Sequence, residues 1–335
     1  MENTKTKLKS KIQNFFFGFT EVITSSEMIY VLKRLAISLL TVFAVITITF
    51  FVMHAVPGGP FQAEKALSAE AEAILKEKYG LDKPLFTQYT TYLKDIITKF
   101  DFGPSLTQRG RSAIEIITDG LSTSVKLGLS AAALALVFGT VLGSFAAINR
   151  NSPLDRVIMI FTTAFVSMPS FIMGTLLLMI FSLGLGWFPA VASADMGFKG
   201  LVLPVITLSL YPTAYITRLT RSSMLESLLQ DYIRTARAKG VPYLSIIFRH
   251  ALKNSLIPVI TYFGPMIASI VTGSLVVEKI FAVPGVGRDF INSIVNRDYP
   301  LIMGTTIILS ILVVFMNFLS DMLYRLVDPR ISLSI

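Results

Sequence analysis

Long apolar runs separated by polar stretches dominate the chain. Six runs reach bilayer-crossing length: residues 35–56, 122–148, 157–182, 201–217, 257–277 and 302–320. A helix rises about 1.5 Å per residue, so roughly 20 apolar residues cross a hydrocarbon core of about 30 Å. The pattern predicts an all-α polytopic membrane protein with six transmembrane helices. The fourth run, "LVLPVITLSLYPTAYIT", is short and holds Pro204 and Pro212, so neighbours must satisfy the carbonyls those prolines release.

The polar segments order themselves by charge. Residues 218–256 carry seven Lys/Arg against Glu226 and Asp231, and residues 1–34 carry six Lys/Arg against Glu2, Glu21 and Glu27. The positive-inside rule puts both on the cytoplasmic side, together with the 149–156 turn and the C-terminal tail 326–335. This accounts for the net charge of +9 without a nucleic-acid partner. Residues 57–121 then lie outside, with eight Lys/Arg against nine Asp/Glu. Two helices are expected there: one capped by Ser68, with Glu70 and Glu72 in its first turn and Gly80 at its end, and one started by Pro84. In the second, Leu85, Tyr89, Tyr92, Leu93, Ile96, Ile97 and Phe100 share a face, predicting a folded extracytoplasmic cap. The first apolar run is too long for the core of a cleaved signal and is read as a retained span. "KLKSKIQNFFFGFTEVI" is read either as lying on the inner lipid face or as a partly ordered basic tail.

The absences narrow the function. The third to sixth runs hold no Asp, Glu, Lys or Arg, and the second only Lys126, so an ion-coupled mechanism lacks its intramembrane charge. No G-x-x-x-x-G-K-[ST] phosphate loop occurs, and no nucleophile, base and orienter set or paired carboxylate sits in the spans. The chain itself is expected to be no enzyme and to bind no ATP, with any energy supplied by a partner. With no cysteine and only His54 and His250, a dedicated metal site is not expected, and both histidines are read as structural. Gly139 and Gly143 form a small-residue face suited to close helix packing.

One polar stretch is larger than a connector needs. In "DYIRTARAKGVPYLSIIFRHALKN", residues 231–254, a short helix precedes Gly240, which suits a left-handed stop, and Pro242 suits the first turn of a new helix. Leu244, Ile246, Ile247 and Leu252 are expected on the apolar side of that helix, and Arg249, His250 and Lys253 on the polar one. The stretch resembles the loop of ABC importer permeases that starts Glu-Ala-Ala, continues to Gly and ends His-x-Leu-x-Asn. Arg234, Thr235 and Ala236 stand at the Glu-Ala-Ala positions, Gly240 at the glycine, and His250, Leu252 and Asn254 at the end. The Arg-Thr-Ala version departs from the general pattern but is similar to the oligopeptide/dipeptide/nickel branch. "HAVPGGP", "YGLDKPLFTQYTTYLKDI", "VEKIFAVPGVGRDFINSIVNRDYP" and "DPRI" point to the same branch.

The resemblance implies the type I ABC importer permease fold, with a permease core over 122–325. It also implies a bacterial or archaeal inner-membrane location among lipid and a set of partners: a second, similar permease, two cytosolic ATPases binding ATP and Mg, and an extracytoplasmic binding protein. By that resemblance Arg234, Thr235, Ala236, Arg237, Gly240, Pro242, His250, Leu252 and Asn254 form the loop that couples to the ATPase. Bending is expected at Pro169, Pro204, Pro212, Gly264 and Pro265. Met168, Phe171 and Met266 line a permissive path or pack the core. Arg288, Asp289, Arg297 and Asp298 receive the binding protein, steady the outer gate by ion pairs, or only reinforce the structure. Branch members handle oligopeptides, dipeptides, nickel chelates or other small solutes. A self-sufficient channel or secondary transporter, and a receptor signalling through the basic loop, are the readings from other classes.

Overall fold

The computed structural model describes residues 25–56, 74, 77, 80–108, 110–192 and 197–327. The N-terminal basic segment before residue 25, the helix expected after Ser68 and the "DPRI" stretch lie outside the described residues. Helices account for nearly all the rest: α1 (Ser25–Ala55), α2 (Leu85–Lys99), α3 (Ala113–Ile148), α4 (Pro153–Ser167), α5 (Ser170–Leu177), α6 (Gly197–Leu228) and α7 (Asp231–Ala238). The short α8 (Tyr243–Ser245) and α9 (Leu252–Ser255) follow, and then α10 (Ile257–Ile280), α11 (Val286–Val295) and α12 (Tyr299–Val327). Strand pairing among the described residues is limited to a single bridge between Pro104 and Ser112.

Helices α1, α3, α6 and α12 are each long and apolar enough to cross a membrane, and two bent pairs raise the number to six if each pair is one span. The third apolar run bends at Pro169, as expected, but far more sharply than a hinged span would. It is not one helix over 157–182: α4 and α5 meet at a bend of 110°. Pro169 has no N–H to offer the helix and drives the preceding Met168 to extended backbone, at φ −92° and ψ 129°. The fourth run is longer than expected, because α6 continues unbroken through Pro204 and Pro212 to Leu228, eleven residues into the segment read as loop. Helix α3 likewise starts at Ala113, inside the expected cap, where Ser112 and Glu115 make a reciprocal capping box.

Packing centres on α3 and α6. A Cβ on Gly139 would stand 2.7 Å from the Ile216 side chain, and one on Gly143 2.6 Å from the Thr217 carbonyl, so both glycines let the two backbones approach as the sequence pattern suggests. Helix α6 is the most enclosed of the long helices and α1 the least, with 61% and 11% of their apolar windows buried. Helix α1 is held at one end by α2, where Thr47 and Tyr89 hydroxyls bond at 2.7 Å and Phe50 packs among Tyr89, Tyr92 and His54. Tyr89, Tyr92, Leu93 and Ile96 face this cluster as expected, whereas Leu85, Ile97 and Phe100 are exposed. Arg34 of α1 pairs with Asp321 of α12 toward the other end.

Candidate functional site

The stretch that stood out in the sequence folds as an elbow. In α7, Ile233 and Ala236 are buried while Arg234, Thr235 and Arg237 are exposed. Gly240 takes φ +73°, which side-chain-bearing residues rarely adopt, and its N–H donates to the Arg237 carbonyl at 3.0 Å. Pro242 then precedes α8, a π-helical turn over Ile246–Ala251, and α9. Ile246, Ile247 and Ala251 join Ile233 against Ala147 of α3 and Met224 of α6. Asn254 closes the elbow by donating to the Tyr232 hydroxyl at 2.9 Å. His250 holds a structural position, its Nδ1 3.3 Å from the Ser245 carbonyl five residues back, the spacing of a π turn.

Leu244 does not join the buried side. It is 66% exposed, beside exposed Tyr243 and Phe248, because the π turn inserts a residue and rotates the preceding side chains relative to an α-helical register. Leu252 is half-buried. The elbow therefore exposes Tyr243, Leu244 and Phe248 together with Arg237, Lys239 and Arg249, three apolar and three basic side chains.

At the α4–α5 bend lies a cavity of 340 Å³. Met168, Pro169 and Ser170 form one wall, Tyr211 and Pro212 of α6 a second, and Ser269 of α10 a third. No charged side chain lines it. Of the residues read as path or hinge, the structure brings together Met168, Pro169 and Pro212. Phe171 is half-exposed and Pro204 is buried in α6, and neither reaches the cavity. Met266 is fully buried among Ile216, Val259 and Ile270. Gly264 is a point of contact: a Cβ there would fall 1.9 Å from the Ser320 Cβ of α12. Pro265 lies inside α10, which continues past it to Ile280.

The opposite end of the bundle is tied by two buried carboxylates. Asp298 accepts from the Ser105 hydroxyl, the Leu106 N–H at 3.1 Å, the Thr107 N–H and hydroxyl at 3.2 and 2.7 Å, and the Leu301 N–H at 3.4 Å. Glu278 accepts from the Ser124 hydroxyl and the Gly287 N–H at 2.8 Å and the Arg288 N–H at 3.2 Å. Gly285 leaves the necessary room, since a Cβ there would stand 2.4 Å from the Glu278 carboxylate. Helix α11 is thus fastened in its first turn by Glu278 and followed directly by the Asp298 tie. No ion pair among the described residues joins Arg288, Asp289, Arg297 and Asp298 to one another. Arg288 donates instead to the Ala282 carbonyl at 3.0 Å, and Arg297 is half-buried at φ +57°. Burial raises the Asp289 carboxyl above the usual range, against the pull of Arg288 and Arg111.

A third charged contact was not anticipated. Asp155, in the first turn of α4, is 3% exposed and takes a two-pronged bond from Arg221 of α6, Nε to Oδ1 at 2.7 Å and Nη2 to Oδ2 at 2.8 Å. The Asn151 N–H adds a bond at 2.9 Å. In sequence, Asp155 and Glu278 each sit just outside an apolar run, where a charge ordinarily marks a span end. Their partners lie 66 and 154 residues away, and no local signal pairs them.

Comparison with known proteins places this architecture. Residues 139–333 match the family described as binding-protein-dependent transport system inner membrane component, and residues 28–111 match the N-terminal part described for such membrane components. The chain is 46% identical over 304 residues to the dipeptide transport system permease protein DppB of Bacillus subtilis, covering 91% of this chain and 98% of that one. It is 42% identical over 302 residues to the oligopeptide transport system permease protein OppB of Haemophilus influenzae, covering 90% and 98%. Among solved structures, an inward-facing form of the MetNI methionine ABC transporter superposes with TM-score 0.54 at 16% identity, over 64% of this chain and 97% of that one, which speaks to the fold alone. On the profile match and the near full-length relatives, the chain belongs to the binding-protein-dependent transport system inner membrane components.

Proposed function

We propose that the chain is the permease subunit of a peptide-importing ABC transporter and forms half of a path completed by a second, similar permease. The elbow over 231–254 docks into a cytosolic ATPase, two of which bind ATP and Mg, and an extracytoplasmic protein delivers the peptide. Both termini and the elbow lie on the cytoplasmic side of a bacterial or archaeal inner membrane. The observation that carries this reading is the elbow tip. Tyr243, Leu244 and Phe248 are exposed together with Arg237, Lys239 and Arg249, on an elbow whose other side packs on Ala147 and Met224. A projecting helical tip of this composition suits a groove on a soluble protein.

The uncharged cavity at the α4–α5 bend supports a substrate that varies in side chain. Its hydroxyls, Ser170 and Tyr211 among them, can bond peptide amides, and it fixes no charge to select against acidic or basic residues.

The test is ATP-driven uptake of a labelled peptide by vesicles holding the whole complex. Gly240→Pro cannot adopt φ +73° and removes the bond to Arg237, and Arg237→Glu reverses one of the exposed basic charges. Each is expected to cut uptake about tenfold or more, a coupling loss in the ordinary range, while the subunit still inserts. Full uptake by both variants would refute docking through this elbow. Uptake by the wild-type chain without the ATPases would favour a self-sufficient carrier.

A further inference from the structure

The Asp155–Arg221 pair sits between the docking elbow and the broken helix. Arg221 lies one helical turn before Met224, against which the elbow residues Ile233 and Ile247 pack. Asp155 lies in the first turn of α4, whose far end is the Met168–Pro169 break at the cavity, about 20 Å along the helix at 1.5 Å per residue. Along α4 only Asp155, Ile158 and Thr162 are buried, whereas Leu154, Val157, Ile160 and Phe161 are exposed. The helix therefore has little apolar grip on the bundle, and its base is fixed by a carboxylate held by three donors. The fork geometry of guanidinium and carboxylate sets orientation as well as distance, which a single contact does not.

We propose that Asp155 and Arg221 are positioning residues for transport, forming the joint through which displacement of the elbow turns α4 and reshapes the cavity at its end. This rests on the coupling reading given above. A shift of the α6 end carries Arg221 with it, Asp155 follows because the guanidinium fork holds both of its carboxylate oxygens, and α4 pivots as a lever. Elbow and cavity are then biased by one two-state element.

The chain has no cysteine, so label sites can be introduced singly. In the whole complex, spin labels replace exposed Val137 on α3 and exposed Phe161 on α4, and their separation is read before and after trapping with ATP and vanadate. Peptide uptake and ATP hydrolysis are measured in parallel for Asp155→Asn, which keeps shape but loses charge, and Arg221→Lys, which keeps charge but loses the fork. We expect the separation to change in the wild type. In Asp155→Asn it stays fixed, with uptake down about tenfold and hydrolysis within about twofold. Arg221→Lys is expected to fall between. Should Asp155→Asn fail to assemble, Arg221→Lys decides alone on the same ratio of uptake to hydrolysis. An unchanged ratio with a normal separation change, or a wild type with no change on trapping, overturns the joint. A wild type that shows the change yet imports no peptide overturns the substrate reading and leaves the joint standing.

Discussion

Gly264→Ala is expected to separate α10 from α12 and to lower the stability of the assembled permease by about 1–3 kcal/mol, the usual cost of forcing a methyl group into a closed contact. The added carbon would meet the Ser320 Cβ at 1.9 Å and its hydroxyl at 2.3 Å; a new rotamer can move the hydroxyl but not the Cβ, which sits directly on the α12 backbone. Ser320→Gly removes both atoms and leaves the Cα at 3.0 Å, a gap that a few tenths of an ångström of helix movement can absorb. The double variant should therefore recover most of the loss. Thermal unfolding of the purified complex, followed for the single and double variants, measures this. If Gly264→Ala is as stable as the wild type but slow in transport, the glycine serves bending rather than contact.

The second large effect falls at Asp298. Asp298→Ala strips the acceptor from five donors at once and frees the 105–107 segment from the start of α12, so a loss of roughly 3–5 kcal/mol is expected. Asp298→Asn keeps one acceptor oxygen and should lose about half as much. Proteolysis of the folded complex near residues 105–107 is the direct measure: cleavage should rise sharply for alanine and modestly for asparagine. If cleavage is unchanged while binding-protein affinity falls, Asp298 acts as a contact for that protein rather than as a tie within the chain.

What was legible in the sequence was local. The elbow could be read because Gly240 and Pro242 declare their backbone preferences on their own, and a close helix contact of α3, though not its partner α6, because Gly139 and Gly143 repeat at one helical turn. The membrane class followed from apolar runs alone. Hydropathy has no term for direction, so the α4–α5 break passed as one run even though Pro169 marked its place. The π turn at Ile246–Ala251 shifted Leu244 to the exposed side, since helical-face counting assumes a constant number of residues per turn. The ties made by Asp155, Glu278 and Asp298 were unreadable for another reason, although Asp298 itself was named among the outer residues. Each is explained by partners from distant segments, and those meetings exist only once the bundle has closed.

The bend at Met168 also bears on how the protein is made. Each limb of the broken segment, Pro153–Ser167 and Ser170–Gly184, has 15 residues and spans about 22 Å or less, short of a bilayer core of roughly 30 Å. Neither limb can therefore form a crossing on its own, and the Asp155 carboxylate at the base of the first is made 66 residues before the guanidinium that pairs with it. The fork that orients the first limb is complete only once α6 has followed with Arg221. The order of synthesis thus becomes an order of assembly, in which the first half of the subunit gains its last tie from the second.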